Sequence, residues 1–357
     1  MATSFKTINS KDVVSTRNML HEAIPITGAI ISGTYGTFPD ENNIKNFSHG
    51  MFQTVYDYPY LSSSANHIFD LAVGYANASE LSSSANTQNA KKINMYNELA
   101  QVLVGFDESS NIRRFDEDGD LTGGAKINEA YFINFTRLLM KDEIKKGSFT
   151  LSLGVDQDYA DSMASTISIT DKSGSTGFKV NSPAGEYGIL YATGSAISAT
   201  GSAAFDRGYA RVGLLYYQAG IAVITASVFE GALFLPADTT LGLVVMDGTL
   251  TGSSISGACD VLRHRINNIQ FNNTTELNST VYFCRANHND FNYSSNPTYL
   301  SASKMVVKNN STDSPVSYTT TVGLYSADNE LLAVAKLSEP LRKDPSTEFT
   351  LRVRLDY

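Results

Sequence analysis

The acidic run Asp116-Glu117-Asp118-Gly119-Asp120 sets carboxylates at alternating positions, the spacing at which a calcium loop presents its first ligands. Two departures argue against a bound cation. The glycine falls fourth and not sixth, and the twelfth position from Asp116 is Ile127, where a bidentate glutamate would have to stand. The run is therefore read as a solvated acidic hairpin turn, and no metal-ligand set is predicted. Two cysteines, Cys259 and Cys284, are too few and too far apart for a zinc site or a disulfide scaffold. A nucleophile-base pair of Cys284 with His288 fails on distance, because i,i+4 residues of a strand lie ~13 Å apart. His21, His49, His67 and His264 form no metal-binding pair, and the glycines match neither a phosphate-binding nor a dinucleotide-binding loop. Asn-x-Ser/Thr triplets such as Asn46-Phe47-Ser48 are chance products of a chain rich in those residues. No catalytic residue and no cofactor is predicted, and the chain is expected to be non-enzymatic.

The chemistry left is that of contact. Arg342 and Lys343 form a basic cluster near the last hairpin, and Arg352 and Arg354 share the polar face of the last strand, where guanidinium groups suit the carboxylates of a partner. The same four residues would also suit a solvated face, and both readings stand. Phe291, Tyr293 and Tyr299, around Pro297, are candidate aromatic anchors against a neighbouring chain, with packing on their own sheet as the alternative.

These residues need strands to carry them. In the last segment Phe349, Leu351, Val353, Leu355 and Tyr357 alternate with Thr350, Arg352, Arg354 and Asp356, the period of a strand with one face buried. Strands are also expected over Tyr131–Arg137, Ser148–Leu153 and Tyr187–Ala192, and two more across 212–225 around a glycine turn, apolar enough to be buried on both faces. The clearest helix is Ala90–Val104, with Ile93, Tyr96, Leu99, Ala100 and Leu103 on one face and Gly105 placed for a left-handed cap. Ala258–Asn267 reads as one or two helical turns. Leu-Ser-Ser-Ser-Ala-Asn occurs at 61–66 and 81–86 and is read as two helix-entry loops; Ile68–Val73, after the first, fits helix or strand equally. A short helix is expected at Val13–Glu22, followed by the breakers Pro25, Gly28, Gly33, Gly36 and Pro39.

The expected fold class is α+β and strand-dominated, with a β-sandwich-like C-terminal domain and one clear amphipathic helix in the N-terminal half. Residues 1–50 are expected as an extended arm ordered against other subunits, 51–235 as a mixed region with Ser/Gly-rich loops, and 236–357 as the C-terminal β domain. Hydrophobic residues make up 42% and charged ones only 18% of the chain, so its surface is largely uncharged and polar. A net charge of −9 argues against nucleic-acid binding, which needs a basic face. No apolar run approaches the ~18 residues of a membrane span, and no secretion signal opens the chain.

Three phrases carry a family resemblance. They are Phe291–Leu300 (FNYSSNPTYL) with Thr319–Leu341 (TTTVGLYSADNELLAVAKLSEPL), then Arg137–Gly154 (RLLMKDEIKKGSFTLSLG), then the Tyr217-Gln218-Ala219-Gly220 turn between apolar strands. The chain resembles structural proteins of tailed-bacteriophage virions, especially contractile-tailed marine phages, most densely over residues 269–357. The resemblance implies a virion protein of the tail or baseplate, present in several symmetric copies, assembled in the host cytoplasm and acting on other virion proteins by contact. A neck, head-completion or capsid-decoration protein and a receptor- or glycan-binding tail protein are the alternatives.

Overall fold

The computed structural model describes residues 5–31, 34–36, 40–139, 143–154, 166–193, 205–206, 209–229, 248–292, 300–301, 304–305, 312 and 316–357. The fold is α+β and dominated by antiparallel strands. In chain order they are β1 (Val13–Thr27), β2 (Ile44–Asn46), β3 (Gln53–Tyr56), β4 (His67–Tyr75), β5 (Phe115–Asp116), β6 (Lys126–Ile127) and β7 (Glu129–Asn134). Next come β8 (Glu143–Ile144), β9 (Thr150–Gly154), β10 (Thr166–Thr170), β11 (Lys179–Ser182), β12 (Gly185–Thr193), β13 (Phe205–Asp206), β14 (Tyr209–Tyr216) and β15 (Ile221–Thr225). Last are β16 (Ile266–Ala286), β17 (Leu300–Ser301), β18 (Lys304–Met305), β19 (Ser317–Tyr325), β20 (Leu331–Lys343) and β21 (Phe349–Asp356). The helices are α1 (Gly28–Ile31), α2 (Asn89–Leu103), α3 (Gly174–Gly177) and α4 (Ile255–Arg265).

The chain divides into two compact units, Leu20–Thr275 and a second made of Met1–Met19 with Glu276–Tyr357. The boundary expected at residue 50 falls inside the larger unit. Within that unit the strand order is β16-β9-β10-β12-β14-β15-β7-β4-β3-β2. Its central strands read as unbroken apolar runs because both sheet faces are covered. Phe69, Leu71, Val73, Tyr131 and Ile133 share one core with Cys259 and Leu262 of α4. Ala72, Ala130 and Phe132 point the other way, into a core with Met95, Tyr96, Ala100 and Leu103 of α2. The alternation of Leu71, Ala72 and Val73 between two apolar cores, with pairing to β3 and β7, fixes β4 as a strand where the sequence left helix and strand open. Helix α2 comes so close to β4 that a Cβ at Gly74 would lie 2.5 Å from the carbonyl oxygen of Lys92. Gly105, at φ +82°, ends the helix in the left-handed conformation that its position suggests.

Three expectations are corrected. Val13–Glu22 belongs to a 15-residue strand, not a helix: Val13, Val14 and Thr16 are β-branched, and pairing with β16 outweighs any local helical preference. The first fifty residues are no free arm, since Ile26, Ile31 and Ile44 are buried in the core of the larger unit. Of the two Leu-Ser-Ser-Ser-Ala-Asn copies, the first leads into strand β4. The second precedes α2, but there Gln88 holds the cap position and makes no side-chain capping bond. Ser254 does cap a helix, accepting from the amide of Gly257 at 3.1 Å at the start of α4, an 11-residue helix longer than expected.

In the smaller unit the C-terminal half of β16 pairs with β21 over eight residues, from Ser279↔Asp356 to Ala286↔Phe349. Strands β19 and β20 form a separate two-stranded ribbon. The last strand alternates as expected, but only Val353 is fully buried; Phe349, Leu351 and Leu355 are half-buried and Tyr357 is exposed.

Candidate functional site

Buried charge is concentrated in the larger unit, around Arg263 on α4. Its guanidinium donates to both carboxylate oxygens of Glu41 (2.8 and 2.6 Å) and to Asp260 (2.7 Å), while Gln53 bonds both Arg263 (3.2 Å) and Asp260 (2.8 Å). Burial alone would raise the Glu41 pKa, but hydrogen bonds from His264 and Arg263 and the Arg263 charge bring it down to about 2. The bidentate geometry is that of a closed structural ion pair, with both carboxylate oxygens already engaged from inside the protein. Asp171 is a second perturbed acid, raised to about 6 by burial although it accepts from the amides of Gly147 (2.6 Å) and Phe149 (2.9 Å) and from the Tyr217 hydroxyl (3.1 Å). Its role is to hold the turn at Gly147, whose φ is +79°, against β10 and β14.

The acidic run closes a short hairpin, Phe115↔Ile127 and Asp116↔Lys126. Carboxylate oxygens of Asp116, Asp118 and Asp120 lie within 4.8 Å of one another. Asp116 is buried and not solvated, and its countercharge is the Lys126 ammonium at 3.0 Å. Leu121 donates its amide to Asp116 and Thr122 donates to Asp120, each at 2.7 Å. Cys284 lies on β16 with its thiol pKa raised by burial, which disfavours the nucleophilic thiolate.

The residues suited to contact lie in the smaller unit, and the structure separates them into different settings. Lys343 is corrected from a contact residue to a structural one: it is fully buried, and its ammonium donates to Asn292 Oδ1 (2.7 Å) and to the carbonyls of Asp344 (2.9 Å) and His288 (3.1 Å). A buried ammonium must be enclosed by acceptors, and these three tie the Asn287–Asn292 turn to the end of β20. Its neighbour Arg342 is exposed and pairs with Asp344 at 3.2 Å. Tyr293 and Tyr299 lie outside the described residues. Phe291, 47% exposed at φ +53°, borders a groove of about 760 Å³ beside the β19–β20 ribbon. Phe5 also lines this groove and stacks edge-on against Tyr325 at 4.8 Å; Lys6 pairs with Asp290, and Asp12 with Arg285 at 2.7 Å. The start of the chain thus rests on its own C-terminal unit, which corrects the expectation that it orders mainly against other subunits.

Arg352 and Arg354 project from one face of the sheet, beside Val14, Thr16 and Asn18 of β1 and Ser279, Val281 and Phe283 of β16, around a hollow of about 220 Å³. Arg354 bonds Ser279 Oγ (2.8 Å) and Asp356 (2.7 Å). Arg352 is exposed and makes no ion pair among the described residues.

The ribbon itself was missed as a contact element. Tyr318, Tyr325, Leu331, Leu332, Val334 and Leu341 are exposed along it. The consecutive Leu331 and Leu332 carried the signal, because a strand that alternates cannot bury both on one face. No helix among the described residues is long and apolar enough to cross a membrane. No protein-family model, characterised protein or solved structure matches the chain.

Proposed function

We propose that this chain is a non-enzymatic structural component of a tailed-phage virion, in the tail or baseplate, acting through contacts with further copies of itself and with other virion proteins. The observation that carries the reading is the β19–β20 ribbon. A two-stranded ribbon is at best marginally stable alone in water, and this one exposes a series of large apolar side chains that a neighbouring subunit would cover. The perturbed acids Glu41 and Asp171 support the same reading, since both oxygens of each carboxylate are engaged by partners within the fold. Peptide mass spectrometry of purified particles tests it. The chain should be recovered at a fixed multiple-copy ratio to the tail proteins and should stay with tails when heads are removed. Its absence from particles would refute the reading, and recovery with heads alone would move it to the capsid.

A further inference from the structure

Two patches of the smaller unit, the β19–β20 ribbon tip and the face bearing Arg352 and Arg354, carry exposed acidic and basic side chains respectively, with Arg354 already paired to Asp356. At the ribbon tip, Ser326–Glu330 form a turn in which the Ser326 amide donates to the Glu330 carbonyl (2.9 Å), and the Asn329 amide donates to the Ser326 carbonyl (3.1 Å). Ser326 Oγ accepts from the amides of Asp328 (3.2 Å) and Glu330 (3.1 Å), and Asn329 sits at φ +65°. The tip is therefore shaped in advance, which lowers the ordering cost of binding. It presents Asp328 and Glu330, both exposed and without an ion pair among the described residues, next to Leu331 and Leu332, 53% and 68% exposed. The sheet face presents the converse, with the guanidinium groups of Arg352 and Arg354 flanking a hollow floored by Val14, Val281 and Phe283.

We propose that copies of this chain associate head to tail, the acidic, leucine-bearing ribbon tip of one copy seating on the Arg352/Arg354 face of the next. Two carboxylates meet two guanidinium groups, of which Arg352 makes no ion pair among the described residues, and the two leucines cover the apolar floor between them. Tip and face are different patches, so the contact is heterologous: it closes into a ring or continues as a filament, the forms that a repeated part of a symmetric particle takes. The inference rests on the structural reading above and names the contact that reading requires.

The test is sedimentation velocity of the full-length chain from low to several hundred micromolar, with D328K/E330K, R352E/R354E and, as a milder face variant, R352E. Thermal melts confirm that each variant is folded. Wild type should associate reversibly. Each double charge reversal alone sets like charges against each other and should weaken association by at least about tenfold. An equimolar mixture of the two double variants restores opposite charges at both contacts and should recover association. If R352E/R354E does not fold, R352E mixed with D328K/E330K supplies the same comparison. A wild-type chain that stays monomeric throughout overturns the proposal, as do variants that associate like wild type or a mixture that recovers nothing. Association indifferent to these charges, with the chain still present in purified particles, would refute this contact and leave the structural role standing.

Discussion

Replacing Glu41 with Gln keeps the shape of the side chain and removes one charge from the buried network on α4. The carboxylate is held at about 2 against an ordinary 4.5, a difference of about 2.5 pH units, or about 3 kcal/mol at 1.36 kcal/mol per unit. Removing one partner of a buried ion pair typically costs about 3–5 kcal/mol, because the other charge is left without compensation. Both routes predict that E41Q loses about 3 kcal/mol at pH 7. The loss must also depend on pH. The unfolded chain binds a proton at this position near 4.5, whereas the folded chain binds it only near 2, so the stability Glu41 contributes is complete above 4.5 and disappears as the pH falls towards 2. Urea unfolding followed by tyrosine fluorescence, which reports the buried Tyr75, Tyr96 and Tyr131 of the same unit, would measure it. Wild type and E41Q should differ by about 3 kcal/mol at pH 7, by about half of that near pH 3, and converge as the pH falls to about 2. A difference under about 1 kcal/mol at pH 7, or one that does not shrink on acidification, would show that the ion pair does not hold α4 in place.

G74V puts a branched side chain where a single Cβ already meets the Lys92 carbonyl at 2.5 Å, so it should cost at least the ~1–3 kcal/mol of an overpacked core, with G74A in between; an unchanged melting temperature would refute the close approach of α2 to β4. K343A removes the donor shared by three acceptors, one buried and two part-buried, and should lose about 1–3 kcal/mol with faster proteolysis at Asn287–Asn292, whereas R342A should stay within about 0.5 kcal/mol; equal effects would restore Lys343 to the surface. V353A deletes two buried methyl groups at ~0.8 kcal/mol each and should destabilise the smaller unit by about 1.5 kcal/mol, while L355A, on a half-buried side chain, should cost less per atom removed; thermal unfolding of the two variants would reverse that ranking if the wrong residue is taken as buried.

What could be read from the residues followed from how local each signal is. Helix α2 and its Gly105 cap, the turn at Gly220 and the alternation of β21 are each specified within a few residues, and the structure has them. Strand β1 could not be read in this way, because its pairing partner lies some 250 residues away and Leu20–Glu22 carries no alternating pattern. The same distance hid the Glu41–Arg263 pair, whose members are ordinary surface residues by composition and meet only once the chain is folded. Lys343 was misplaced for a related reason: a lysine beside an arginine and an aspartate reads as a solvated cluster, and its burial depends on acceptors contributed by the Asn287–Asn292 turn. Arg352 and Arg354 were placed correctly on one face because period-2 alternation needs no partner to be read.

The most direct test is an electron-microscopy reconstruction of the particle at a resolution that traces side chains. The account predicts several copies of this chain related by the symmetry of the tail or baseplate, with Leu331 and Leu332 of each ribbon buried against a neighbouring subunit. A reconstruction that contains the chain with its ribbon exposed to solvent, or a complete particle that lacks the chain, would contradict it.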